Sequence, residues 1–179
     1  NMKKALLAIL LVALFAVPSA FAQFRLDLGI DVPLVIGITS VSNTELVDED
    51  VTEFLTSHIL PFPEVGAHYF FNAGPVRLGL GARGYTFILE SVLWPNAVIE
   101  YEISRLVLEG QFGGGAFLFF GLMNTTKTGA LCFPDLSAWF KLGDTFRLGG
   151  GFLGVAGSEL GFEGVPFVFY LGGKAAIKF

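Results

Sequence analysis

The sequence is short of the residues that most often staple or arm a small exported protein. Cys132 is the only cysteine, which excludes an internal disulfide and a zinc-ribbon site. His58 and His68 are the only histidines, too few and too isolated to suggest a metal centre. Positive charge is scarce as well. Eleven Lys and Arg face 16 Asp and Glu, for a net charge of −5, and no Lys or Arg occurs from Leu26 to Val76. Without a basic run, nucleic acid is not an expected partner. Long apolar runs are missing beyond the first residues. The charge-free stretch from Gly110 to Thr126 is interrupted by Gly113-Gly114-Gly115 and Gly121, which disfavour a helix. No motif calls for a cofactor, and none is expected.

The first residues are the exception. Lys3 and Lys4 precede an apolar run from Ala5 to Val17, then Pro18 and the small-residue site Ala20-Phe21-Ala22. This is the layout of a secretory signal peptide, with a core short for a membrane span. Residues 1–22 are expected to be cleaved, Asn1 ahead of Met2 reading as an extraneous residue, and residues 23–179 to form one domain. Without Lys3 and Lys4, nine bases face 16 acids, a net charge of −7. An exported chain of 53% hydrophobic composition with no spanning helix is either a secreted β-domain or an outer-membrane barrel.

What the sequence has in plenty is Gly (23), Phe (20) and alternation of period two. Successive strand residues point to opposite faces. In the last segment, Phe167, Phe169, Leu171, Gly173, Ala175, Ile177 and Phe179 share an apolar face. Tyr170, Lys174 and Lys178 lie on the other. Phe24, Leu26, Leu28 and Ile30 alternate with Arg25, Asp27, Gly29 and Asp31 in the same way. Eight such segments are expected. They begin near Phe24, Pro61, Val76, Ala97, Leu106, Cys132, Phe146 and Phe167. Joints are read at Thr39–His58, Asn72–Pro75, Glu90–Asn96, Ser104-Arg105, Met123–Leu131, Gly143–Thr145 and Ser158–Val165. The short joints alternate with longer ones, as in outer-membrane barrels. A soluble lipocalin-type barrel has the reverse pattern, apolar inside and polar outside. The expected fold is all-β, an eight-stranded antiparallel transmembrane β-barrel of the outer-membrane type.

Eight strands enclose room only for side chains or one small ligand. The inward charges should therefore pair with one another. That network is expected from Arg25, Asp27, Arg77, Arg83, Glu100, Glu102, Glu109, Lys141, Arg147 and Lys174. Toward the other end the inward residues turn apolar. Phe70, Tyr85, Phe87, Phe117, Phe119, Trp139, Leu153 and Val155 are expected to line an outer cup, with Val35, Leu89, Phe133 and Val168 beside them. The cup either takes a hydrophobic small molecule or is simply filled by side chains.

With eight strands, a signal peptide and a terminal aromatic residue, residues 23–179 resemble the small outer-membrane barrels of the OmpA-like, OmpX-like and OmpW-like groups. In such proteins the closing strand carries an assembly signal, which Ile177 and Phe179 match. Lys174 stands at the signal's glycine position, and Gly173 is one residue early. The resemblance implies a monomer in the bacterial outer membrane, surrounded by its lipid. Periplasmic chaperones and the barrel-assembly machinery would recognise the C-terminal strand. An OmpW-like lumen would imply passage of small apolar compounds. The rival reading is a filled barrel that meets its partners through its loops. An enzyme of lipid-modifying type is the weakest reading: Glu64 and His68 share a face, but no serine has a defined place beside them. In the first joint, Glu45, Asp48, Glu49, Asp50 and Glu53 form either a solvated acidic surface or an oxygen-ligand site for Ca²⁺.

Overall fold

The computed structural model describes residues 22–39, 44–46, 61–87, 89–122, 124–157 and 165–179. The expected leader and most of the acidic joint lie outside these residues. Nine strands form among the described residues: β1 (Ala22–Thr39), β2 (Thr44–Leu46), β3 (Phe62–Ala73), β4 (Val76–Phe87), β5 (Glu90–Ile103), β6 (Leu106–Gly121), β7 (Thr125–Leu142), β8 (Phe146–Gly154) and β9 (Val165–Lys178). They pair in the order β2-β1-β3-β4-β5-β6-β7-β8-β9, and β1 also pairs with β9. Eight long antiparallel strands thus close on themselves, from Arg25 opposite Lys178 to Thr39 opposite Val165. The ninth, β2, only lengthens the rim, pairing with Gly37–Thr39 of β1.

Alternation decides which face each residue takes. Leu28, Ile30, Leu78, Leu80, Ile99, Phe112, Phe140, Leu148 and Phe152 are exposed on the outside, and Leu136 is 69% exposed. The inward positions between them carry the charges. A closed barrel leaves no unpaired edge. Its apolar exterior and polar interior are the arrangement that lipid on the outside requires. No helix among the described residues is long and apolar enough to cross a membrane.

Three tight turns mark one end, the turn end: Gly74-Pro75, Ser104-Arg105 and Gly143–Thr145. Two-residue hairpin loops need positive φ to follow the twist of their strands. Gly74 and Ser104 supply it at 65° and 57°. The opposite, loop end carries the joints β1–β3 and β8–β9, together with two short ones, after Phe87 and after Gly121.

Several expected boundaries move. Glu90–Asn96 was expected as a joint, yet β5 starts at Glu90. Pro95 is accommodated because the β5–β6 ladder lapses between Leu93 and Asn96, and proline within a sheet belongs at such irregularities. Met123–Leu131 was also expected as a joint. Instead Thr125–Thr128 pair with Ala116–Phe119, the β-branched threonines suiting a pleated surface. In β1 a bulge between Pro33 and Val35 sets Val35 opposite Phe169, on the outer face, and Ile36 opposite Val168. Val35 is therefore not a lumen residue. Leu89 is exposed in the joint before β5.

A second irregularity divides the barrel by height. The β5–β6 pairing skips from Asn96–Gly113 to Leu93–Leu118, and the β6–β7 pairing skips from Gly114–Cys132 to Ala116–Thr128. Gly114 and Gly115 take φ of 137° and 79° there, a region open to glycine and costly for other residues.

Candidate functional site: a layered lumen

Charges on adjacent strands meet because register brings them to one height. At the turn end Lys141 Nζ donates to Glu102 (2.5 Å), and Arg77 bridges Glu102 and Glu100 at 2.9 Å each. One layer deeper, the Glu100 carboxylate also receives Arg25 (2.6 Å) and Arg147 (2.7 Å). Arg25 holds Asp27 at 2.8 Å, and Lys174 holds Glu109 at 2.6 Å. Nine of the ten predicted network residues are joined in this way, and the tenth, Arg83, sits one layer higher. Buried charge is tolerable only when paired and hydrogen-bonded, and the side chains of Arg25, Asp27, Glu100, Glu109, Arg147 and Lys174 are all 0–4% exposed. The network continues through neutral amides: Gln111 donates to Glu109 and Asn96 donates to Gln111, both at 2.6 Å.

The middle layer is built around Arg83. Its guanidinium donates to Glu64 (2.8 Å), to Asp135 (2.6 Å) and to the Tyr85 hydroxyl. Tyr170 donates its hydroxyl to the Asp135 carboxylate at 3.0 Å. Asp31, 2% exposed, faces the same layer from β1, but no group among the described residues donates to either of its oxygens.

The outer layer is aromatic. Tyr85, Trp94 and Phe117 are buried together, with Phe62, Val92, Phe119, Leu131, Phe133 and Leu153 packed around them. Trp94 stacks on Phe133 at 4.6 Å between centroids, and Phe117 meets Phe133 edge-on at 5.6 Å.

Of the residues predicted to line the outer cup, Tyr85, Phe117, Phe119 and Leu153 lie in this layer. Two do not. Phe70 sits near the turn end with the Arg25 guanidinium 4.1 Å above its ring, opposite Gly79, whose missing side chain leaves the ring its room. Trp139 is opposite Val107, four residues from the Gly143 turn, with Lys174 Nζ 4.3 Å from its ring. Both are aromatic walls for cations rather than parts of a cup, because register sets them low. Val155 lies past the end of β8, its amide donating to Pro166. The side chain of Phe87 lies outside the described residues.

Several residues complete the site without having been predicted in it, Glu64, Gln111 and Asp135 among them. Trp94 and Asn96 were hidden by reading Pro95-Asn96 as a joint. Asp31 and Tyr170 carried the inward parity, but nothing in the chain tied them to Arg83. The Glu64–His68 pair does not form: Glu64 is taken by Arg83. His68 instead meets the Asn96 amide at 3.1 Å, and its Nδ1 lies 3.8 Å from Asp27. Among the described residues, no serine, threonine or cysteine bonds the His68 ring, and no three His, Cys, Asp or Glu are gathered as a metal site. The Ser137 hydroxyl accepts from Trp139 Nε1 at 2.9 Å. Ile177 and Phe179 close the barrel, the Phe179 amide donating to Phe24 and the two rings lying 5.8 Å apart.

No protein-family model matches the chain, and no curated protein sequence does. Among solved structures it is similar to Neisserial surface protein A, at 9% identity and a TM-score of 0.47, covering 86% of this chain and 97% of that one. It is similar also to the N-terminal β-barrel domain of Pseudomonas aeruginosa OprF, at 10% identity and a TM-score of 0.41, covering 84% and 97%. A third likeness is to Ail, the attachment invasion locus protein of Yersinia pestis, at 10% identity and a TM-score of 0.41, covering 88% and 99%. No residue role passes from them to this chain.

Proposed function

We propose that the protein is a bacterial outer-membrane barrel with a closed lumen that acts as an envelope scaffold and meets partners at its loop end. The observation that carries this reading is the filled column. From Glu100 through Arg83 to Trp94, every layer is buried side chain, with Glu100 0%, Arg83 1% and Trp94 2% exposed. A conduit for polar solutes needs water there. The joints at the loop end are acidic, with Glu45, Asp48, Glu49, Asp50 and Glu53 in the first and Glu159 and Glu163 in the last, and neither contains Lys or Arg. A partner presenting basic groups fits them, since complementary charge steers encounter. Export through the N-terminal leader and assembly through the closing strand, with Ile177 and Phe179 as its signal, belong to the same reading.

The test is reconstitution of residues 23–179 in planar bilayers and in vesicles. A closed lumen gives no stepwise conductance, and vesicles carrying the barrel bind an immobilised polylysine surface. Neutralising the five acids of the first joint should abolish that binding. Ohmic conductance steps would refute the closed lumen, and binding that survives neutralisation would refute the acidic contact.

The aromatic outer layer favours a second reading, in which its rings part for a hydrophobic small molecule, as an OmpW-like barrel would require. Trp94 is the reporter, in a Trp139→Phe background. A saturable blue shift with alkyl chains of one preferred length would support this reading, and an unchanged spectrum would dismiss it.

A further inference from the structure

The buried charges of the lumen do not balance, and the imbalance lies in one layer. Asp27, Glu100 and Glu109 are matched by Arg25, Arg147 and Lys174 in the deep layer. In the middle layer Asp31, Glu64 and Asp135 share Arg83 alone. Every Lys and Arg beyond Lys4 is among the described residues. Arg105, Lys127 and Lys178 are exposed, and the others are engaged by the carboxylates already named. His68 faces Asp27, one layer down.

Two negative charges in excess, so deeply buried, are costly unless a positive charge joins them. The orphan atoms show where it would go. Asp31 Oδ1, Asp31 Oδ2 and Glu64 Oε2 are all buried and receive no hydrogen bond from the described residues. Asp31 pairs with Phe62 across the β1–β3 ladder, and Glu64 with Gly29. The two carboxylates are therefore diagonal neighbours on one face, and Glu64 is among the charges that act on Asp31. Gly29 and Gly172 flank them and give the carboxylates their room: a Cβ at Gly172 would collide with Asp31 Oδ1, and one at Gly29 would fall 3.4 Å from Glu64 Oε2. The charged groups acting on Asp31 are Glu64, Arg83, Lys174 and Asp135. Of these, Arg83 is held by Glu64 and Asp135, and Lys174 by Glu109.

We propose that Asp31 and Glu64 bind a divalent cation inside the lumen. Three carboxylate oxygens and no nitrogen or sulfur suit a hard ion, Ca²⁺ or Mg²⁺. Its charge of two matches the excess of the layer. With so few protein ligands, the affinity is expected to be on the order of 10⁻⁴–10⁻³ M, as in extracellular calcium modules.

The experiment uses the barrel refolded in detergent and stripped by chelator, with Glu45, Asp48, Glu49, Asp50 and Glu53 neutralised so that the first joint cannot bind the ion. Ca²⁺ and Mg²⁺ are titrated separately by calorimetry at neutral pH. One site per barrel is expected. Asp31→Asn and Glu64→Gln should each weaken it by more than the roughly 10–100-fold that loss of an outer-shell partner costs. Should those variants fail to refold, Tb³⁺ is added to the loop-neutralised chain and its emission is excited through the tyrosines; sensitised emission displaced by Ca²⁺ is expected. Absence of binding at millimolar metal, binding unchanged by both variants, or absence of sensitised emission would each overturn the proposal and leave the excess to protons.

Discussion

Glu100 is the anion on which the deep layer turns, and replacing it by glutamine tests the account of the lumen most directly. Its carboxylate, 0% exposed, lies 2.6 Å from Arg25, 2.7 Å from Arg147 and 2.9 Å from Arg77. Removing one partner of a buried ion pair costs about 3–5 kcal/mol, because the other charge stays buried and unpaired. The three contacts do not simply add. Arg25 keeps Asp27 at 2.8 Å and Arg77 keeps Glu102 at 2.9 Å, whereas Arg147 keeps only Glu109, at 3.6 Å. Glu100→Gln should therefore cost about as much as one broken pair, roughly 3–5 kcal/mol, or about two to four decades in the folding equilibrium. Reversible urea unfolding in lipid vesicles, followed by the electrophoretic shift of the folded barrel, measures it. Glu100→Gln combined with Arg147→Met should recover much of the loss, since an apolar replacement of a buried pair is often neutral. A single variant within about 1 kcal/mol of the parent would refute the reasoning, because that is the scale of an exposed pair. So would a double variant worse than the single one.

Leu136, 69% exposed and midway along β7, faces lipid; Leu136→Arg should lower stability in bilayers by about 2–4 kcal/mol, read from the same unfolding curves. A Cβ at Gly79 would fall 2.8 Å from the Phe70 ring. Gly79→Val should thus cost about 1–3 kcal/mol by overpacking, and adding Phe70→Leu should return most of it. Trp94→Ala empties the stack on Phe133 and should cost about 3–5 kcal/mol; a loss under about 1 kcal/mol would mean the outer layer is loosely packed.

Parity was legible in the chain because it is local. Arg25 and Asp27, or Glu100 and Glu102, stand between apolar residues whichever strands they meet. The nine charges joined in the network could be named from that alternation, whereas the carboxylates around Arg83 could not. Height in the barrel was not legible, because it depends on register between strands far apart in sequence. Phe70 and Trp139 therefore look like cup residues until Gly79 and Val107 fix them near the turn end. Asp31 is linked to Arg83 only when β1, β3, β4 and β7 are all in place. Residues that usually break structure misled in two places: Pro95-Asn96 and Asn124-Thr125-Thr126 resemble loops, yet one lies in β5 and the other opens β7. At Pro33–Val35 a single extra residue turned a correct alternation outside in.

The three glycines of β6, where the ladders to both neighbours lapse, also mark a change in what resists deformation. Toward the turn end, side chains from many strands are cross-tied by ions, so pulling one strand away strains all the others. Toward the loop end the lumen contacts are apolar, between rings and a few aliphatic side chains, and rings can slide. The barrel is thus two collars of unequal stiffness joined at a seam. Thermal opening should start at the loop end, travel down the wall and halt at the glycines. In hydrogen exchange, the amides of Phe117–Gly121 should exchange long before those of Val107–Gln111, although one strand carries both.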